Sequence, residues 1–126
     1  MPHKSVILQY TFEVNAWKRL LAFFLVENIY FKTRLAELLN SKDDEDVIEN
    51  GEKFQDEFLS QDRILSFLDS EVKRQTKLLE RDLYEDGELF KGVVKNQKKL
   101  RKDIKSAEGL FTKLKETFSN YLSAQF

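Results

Sequence analysis

The side chains that most often carry catalysis near neutral pH are scarce in this sequence. Its only histidine is His3, close to the amino terminus, and it contains no cysteine. A Ser-His-Asp or Cys-His arrangement needs a histidine held inside a fold, whereas terminal segments are usually frayed. A di-iron bundle needs a Glu-x-x-His motif on each of two helices, and no glycine-rich loop precedes a helix to bind phosphate. The sequence therefore predicts no enzyme, with no catalytic residue and no cofactor.

The densest group of carboxylates is a run of four, Asp43, Asp44, Glu45 and Asp46. Carboxylates bind calcium, but a calcium-binding loop spaces them alternately and carries a central glycine. Neither feature is present here. Acidic residues are also favoured at the positive amino-terminal end of a helix. We therefore expect a solvated acidic connection that leads into a helix, and no metal site.

A basic cluster lies towards the carboxyl-terminal half, where five lysines recur with 4-3 spacing and share one helix face: Lys91, Lys95, Lys98, Lys102 and Lys105. Such a stripe could contact phosphates of nucleic acid or of an anionic membrane. The alternative is a ladder of ion pairs with acidic residues of the preceding helix, namely Asp69, Glu71, Glu80 and Asp82. The net charge of -1 and the absence of stacking aromatics between residues 91 and 105 favour the ladder. Nucleic acid and anionic lipid are thus the less favoured partners.

The elements that must position these residues are helices. Three segments carry apolar residues at alternating spacings of three and four, which keeps one stripe of each helix facing its neighbours. The only proline is Pro2 and there are four glycines, too few turn formers for a strand-rich fold. We predict an all-α fold with a single domain over residues 1–126. It is a long antiparallel up-down-up bundle of about three helices, at roughly residues 6–39, 51–85 and 88–123.

The ends of these helices are less sharply marked. The β-prone run Val6, Ile7 and Leu8 leaves open a later start of the first helix, near Thr11. Residues 40–50 form the first connection, which could hold a short extra helix before a break or kink at Asn50-Gly51. Asp86-Gly87 forms the second turn.

Four amide side chains interrupt the apolar seams, at Asn28, Gln61, Gln75 and Gln97. Alignment of the helices about their connections places Asn28 level with Gln61, and Gln75 level with Gln97. A buried amide without a partner costs about 1–3 kcal/mol, so we expect two layers of paired amides that fix the register of the helices. In the alternative, both glutamines turn outward at the edge of the seam.

The first helix is apolar around almost its whole circumference between Leu20 and Phe31. Five residues lie away from its seam: Ala22, Phe23, Val26, Ile29 and Tyr30. Two neighbouring helices cover only part of such a surface, and a contiguous apolar patch is typical of an interface. We expect a two-fold homodimer in which the first helices cross near Val26. The alternative is that residues 41–50 or the segment Leu122–Phe126 fold back over this patch.

These features predict a class of function and no pathway. The chain is expected to be a non-enzymatic helical interaction or scaffold module that self-associates. The alternative is a basic-faced bundle that docks on nucleic acid or an anionic membrane surface. A different protein partner remains open, and no small-molecule substrate is evident. The longest apolar run, Leu20–Val26, is far shorter than the roughly 20 residues of a membrane span, so a cytoplasmic location is expected.

Overall fold

The computed structural model describes residues 2–81 and 87–125, with side chains described from Lys4 onward. It consists of three helices, α1 (Pro2–Ser41), α2 (Glu45–Leu79) and α3 (Gly87–Gln125). At 1.5 Å per residue each helix is roughly 50–60 Å long. The described residues contain no strand, and the prediction of an all-α bundle of three long helices is confirmed.

Two groups of contacts show the directions of the helices. Near one end of the bundle, Gln97 of α3 contacts Gln75 of α2 and Tyr10 of α1. Towards the other end, one aromatic ring from each helix meets the other two: Phe31, Phe58 and Phe118. Between these two levels the residue numbers rise along α1 and α3 and fall along α2. The order is therefore up-down-up, with α1 and α3 parallel to each other.

The predicted seams form the core. The seam positions are buried along most of each helix, with partly buried residues such as Trp17, Phe54 and Tyr121 towards the ends or edges. Aromatic rings fill its centre, and the Phe24–Phe111 and Phe58–Phe118 centroids are each 4.9 Å apart. Buried side chains of this size stabilise a fold by about 1.5–3 kcal/mol each. The aromatic residues are therefore explained by packing between helices.

Helix α1 begins earlier than the sequence predicts. It starts at Pro2, so both the expected boundary near residue 6 and the later start near Thr11 are wrong. Val6 and Ile7 pack against the core, and the Thr11 hydroxyl donates a hydrogen bond of 2.8 Å to the Ile7 carbonyl. Burial of these β-branched side chains outweighs their preference for strands.

Helix α2 also begins earlier, at Glu45, and the predicted break at Asn50-Gly51 is wrong. Asp44 is the N-cap, and its carboxylate accepts a hydrogen bond of 2.8 Å from the Asp46 backbone N–H. The connection therefore contains only residues 42–44. Asp43 and Asp44 of the acidic run lie in it, and Glu45 and Asp46 lie in the first turn of α2.

Gly51 does not end a helix but allows two helices to approach. It lies buried inside α2, where an added Cβ would be 2.6 Å from Leu39 Cδ2 of α1. A glycine here thus serves close packing of α1 on α2. At its other end α2 stops at Leu79, six residues before the predicted residue 85, and Asp86 of the predicted second turn lies outside the described residues.

Candidate interaction surfaces

One of the two proposed amide layers is present. Gln75 Nε2 donates a hydrogen bond of 3.0 Å to Gln97 Oε1 and a second, of 2.9 Å, to the Val93 carbonyl. Gln97 Nε2 in turn donates to the Tyr10 carbonyl and to Glu13 Oε1, at 3.3 and 3.2 Å. Both glutamines are buried, so they do not turn outward, and together they connect all three helices.

The second layer differs from the sequence-based hypothesis. Asn28 is fully buried, but its Nδ2 donates to the Phe58 carbonyl at 3.0 Å and to Asp62 Oδ1 at 2.6 Å, and no Asn28–Gln61 pair forms. A carboxylate is the stronger acceptor, because a hydrogen bond with a charged partner is worth roughly twice a neutral one. Gln61 is also buried, and its Oε1 has no hydrogen-bond partner among the described residues.

The two sites share a pattern that the sequence analysis missed. In each, a buried amide donates to a carboxylate of a neighbouring helix, which also binds a cation four residues beyond the amide. The two sets are Asn28–Asp62–Lys32 and Gln97–Glu13–Arg101. The available signal was an amide at a seam position followed by a basic residue at i+4, which lies one turn further along the same face. We call these sets amide–carboxylate–cation clamps.

The clamp around Glu13 is strongly electrostatic. Arg101 donates two hydrogen bonds to the Glu13 carboxylate, of 2.9 and 2.6 Å. These bonds are the largest cause of a Glu13 pKa below its ordinary value, and the same contact raises the pKa of Arg101. A separate ion pair of 2.8 Å between Lys115 and Glu27 also joins α1 to α3. These contacts hold the parallel helices α1 and α3 in register.

The α1 surface that faces away from the bundle is largely apolar, as the sequence predicts. Phe23, Val26, Ile29 and Tyr30 are 56–65% exposed, and Ala22 beside them is exposed as well. Leu8 and Phe12 also lie exposed on the same side, at 63% and 72%, and the exposed polar residues Asn15 and Arg19 separate them from the rest. Leu8 and Phe12 recur at the spacing of the stripe and could have been found from it. We call the seven apolar residues the α1 outer face.

The segments that could have covered this face from within the chain lie elsewhere. Residues 45–50 belong to α2, and the Val47 carbonyl accepts a hydrogen bond of 2.8 Å from the Tyr121 hydroxyl. This contact holds the end of α3 against the start of α2, and Leu122 packs against the core. Within the part of the chain that the structure describes, neither segment folds over the α1 outer face.

Among the described residues, the lysine stripe makes no ion pair with Asp69, Glu71 or Glu80 of the expected ladder. Asp69 pairs with Lys73 and Glu71 with Arg74, so both acidic residues bind cations of their own helix. Asp82 lies outside the described residues. All five lysines are exposed, and four of them have no ion pair with any residue that the structure describes: Lys95, Lys98, Lys102 and Lys105. We call the five residues, Lys91 included, the lysine ridge.

Charge is divided between the two ends of the bundle. Residues 91–105 contain seven basic residues and one acidic residue, and they lie at the level of Gln75 and Tyr10. Residues 43–57 contain eight acidic residues and one basic residue, and they lie at the opposite end, beside Tyr121. The molecule is therefore a rod with one basic and one acidic end.

The described residues contain neither a metal-binding cluster nor a helix that could span a membrane. Across residues 4–81 and 87–125, no three acidic or histidine side chains come together as a metal site would require. None of the helices, over the residues described, is apolar for long enough to cross a membrane. Comparison with known proteins found no matching family model, no matching curated protein and no matching solved structure.

Proposed function

We propose that this protein is a non-enzymatic helical interaction module that self-associates through the α1 outer face. The observation that carries the proposal is the concentration of exposed apolar side chains on one helix. Six of the nine large hydrophobic residues exposed in the described chain lie on α1. Three of these are aromatic, and their side chains are 56–72% exposed. An exposed apolar patch rimmed by polar residues is typical of an interaction site.

A second copy of the chain is the occupant that fits this face best. Arg19 and Glu37 flank the central part of this face, residues 22–30, and both lie on the outward line of α1 that contains Val26. When two α1 helices pair antiparallel about a two-fold axis near residues 26–28, Arg19 of each copy faces the Glu37 region of the other. A parallel pairing would instead place each arginine opposite an arginine.

The charge distribution of the whole rod favours the same arrangement. An antiparallel pair sets the basic end of one copy beside the acidic end of the other, whereas a parallel pair sets like charges together. Complementary potentials of this kind favour one orientation over the other. The closed two-fold arrangement uses the same surface on both copies, which limits assembly to a dimer.

Sedimentation velocity over a wide range of protein concentration tests the proposal. The wild type is expected to form a dimer, and Val26→Glu with Tyr30→Glu is expected to shift it to monomer by placing charges in the interface. Phe67→Glu with Leu110→Glu is the matched control, because these residues are similarly exposed on α2 and α3, at 56% and 54%. A wild type that remains monomeric at high concentration would overturn the proposal.

Disulfide formation distinguishes the two orientations, since the chain has no cysteine of its own. Val26→Cys lies near the two-fold axis and should link two copies under mild oxidation. Phe12→Cys should not, because antiparallel pairing separates its two copies by roughly 40 Å at 1.5 Å per residue. Efficient linkage through Phe12→Cys would show a parallel dimer and contradict the proposed orientation.

A further inference from the structure

The lysine ridge is a straight line of positive charge on the outermost edge of α3. Its five residues span 14 positions, or about 21 Å at 1.5 Å per residue. It lies opposite the buried seam of α3, which includes Val93, Leu100 and Ile104. The ammonium groups are therefore directed away from the bundle and can reach one surface together.

These lysines are available because no acidic residue of the described chain neutralises them fully. Over residues 4–81 and 87–125, Lys95, Lys98, Lys102 and Lys105 make no ion pair, and Lys91 pairs with Glu88 of its own helix at 3.5 Å. Both side chains of that pair are largely exposed, so it competes weakly with an external anion. Two other basic residues nearby already have acidic partners, since Arg101 binds Glu13 and Lys99 lies 4.0 Å from Asp103.

We propose that the lysine ridge docks the protein side-on to an anionic lipid surface. A straight line of charges can meet a plane along its whole length. It diverges from a nucleic-acid strand, which winds around a duplex once every 34–36 Å or so. Clusters of four to eight basic residues on a helix are typical of binding to anionic headgroups.

The composition of the ridge also favours lipid over nucleic acid. The residues between Lys91 and Lys105 include no aromatic side chain to stack on a base. The one guanidinium in this stretch, that of Arg101, is held by Glu13 and is not free for bidentate phosphate binding. Leu110 is the only large hydrophobic residue of α3 that is exposed in the described chain, and it lies beyond the ridge. Binding should therefore be peripheral and governed by charge.

Dimerisation would double this surface, a step that rests on the proposed function. Helices α2 and α3 pack against α1 and against each other, so they lie to the two sides of the plane that contains the α1 axis and its outward direction. In the antiparallel dimer, the two-fold axis is perpendicular to the helices and to the outward direction of α1. Rotation about this axis reverses the direction of the helices, but it leaves the α3 helices of both copies on the same side of the dimer. The antiparallel dimer then presents both lysine ridges on one side and both α2 helices on the other. Two ridges on one side would bind a surface with higher avidity than one ridge.

Co-sedimentation with lipid vesicles tests the proposal. The full chain is expected to bind vesicles that contain phosphatidylserine and to ignore vesicles of phosphatidylcholine alone. The triple variant Lys95→Gln, Lys98→Gln and Lys102→Gln should reduce binding about a hundredfold, as three juxtamembrane lysines would. The matched control replaces three exposed lysines elsewhere, Lys53, Lys77 and Lys113, with glutamine. It removes the same charge and should bind nearly as well as the wild type.

Two outcomes would overturn the proposal. One is equal loss of vesicle binding in the ridge variant and the control, which would show attraction by overall charge. The other is preferential binding of duplex DNA through the ridge when DNA and vesicles compete. The monomeric variant Val26→Glu with Tyr30→Glu separates this proposal from the proposed function. It should still bind through the ridge, but more weakly than a wild-type dimer. Ridge-dependent binding by a wild type that proves monomeric would refute only dimerisation.

Discussion

Each clamp combines a buried amide with a carboxylate that is only partly buried. Glu13 and Asp62 side chains are 23% and 29% exposed, so these carboxylates keep part of their hydration while accepting a hydrogen bond from the core. Hydrogen bonds to charged groups contribute about 1.5–3 kcal/mol, more than neutral ones. The cation at i+4 then binds the same carboxylate at the surface. The clamp satisfies an amide N–H in the core without burying an ion pair.

Protonation of Glu13 should weaken the fold at acid pH. Its pKa is lowered in the folded protein, chiefly by the hydrogen bonds from Arg101, so the folded state favours the ionised form. The resulting stability is present above the unfolded pKa of about 4.3 and is lost as the pH falls through the folded value. We expect the free energy of unfolding, measured by urea titration, to fall more steeply below about pH 5 in the wild type than in Glu13→Gln.

Glu108→Gln is the matched control for this measurement, because Glu108 is exposed and makes no ion pair in the described chain. Its unfolding free energy should follow the wild-type pH dependence. An equally steep decline in Glu13→Gln would show that other carboxylates cause the acid sensitivity.

At the scale of the helices, the sequence predicted the seams well and the ends poorly. Apolar spacing reports burial directly, so positions such as Leu21, Leu65 and Ile104 were predictable from periodicity alone. The start of α2 was not predictable in this way. Asn50-Gly51 is a common turn dipeptide, but Gly51 here lies inside the helix, because its packing against Leu39 needs a small residue. The predicted ion pairs of Asp69 and Glu71 with the lysine stripe do not form for a related reason. The spacing of charged residues predicts which face of a helix they occupy, but not which oppositely charged residue they pair with. Asp69 and Glu71 pair with cations of their own helix, at i+4 and i+3.

The Gln75–Gln97 layer should show coupling between α2 and α3. Gln75→Leu removes a donor to Gln97 Oε1 and leaves that buried acceptor without its protein partner, which should cost about 1–3 kcal/mol. Gln97→Leu should cost at least as much, since it also removes the contacts with Tyr10 and Glu13. The double variant is expected to be more stable than the sum of the two losses predicts, by about 0.5–3 kcal/mol.

A double-mutant cycle by urea unfolding measures this coupling. Gln75→Leu with Gln61→Leu is the matched control, because both residues are buried amides of α2 but no hydrogen bond joins them in the described chain. Additive losses in the Gln75–Gln97 cycle would show that the layer does not act as a unit.

At the scale of the whole molecule, the two proposed surfaces use different parts of the rod. The α1 outer face is apolar and would bury itself against a second copy, while the lysine ridge is charged and lies on α3. Packing of the core does not require either surface, because a three-helix bundle buries only one apolar stripe of each helix. The sequence predicted all five residues of the lysine ridge and five of the seven residues of the α1 outer face, but not Leu8 and Phe12. The sequence did not predict the position of the segments that could have covered the α1 outer face. It also did not predict which cations the acidic residues of α2 bind.

Self-association should make thermal stability depend on protein concentration. A partner that binds only the folded chain stabilises it by mass action, so the unfolding midpoint of the wild type should rise as the protein is concentrated. Val26→Glu with Tyr30→Glu should have a midpoint that does not change with concentration, since its side chains are exposed and the three-helix core is intact. Circular dichroism at a series of concentrations provides the measurement. Phe67→Glu with Leu110→Glu should keep the wild-type dependence. A wild-type midpoint that stays constant over a range in which sedimentation shows dimer would contradict this prediction, because the dimer would then not stabilise the folded chain at its unfolding temperature.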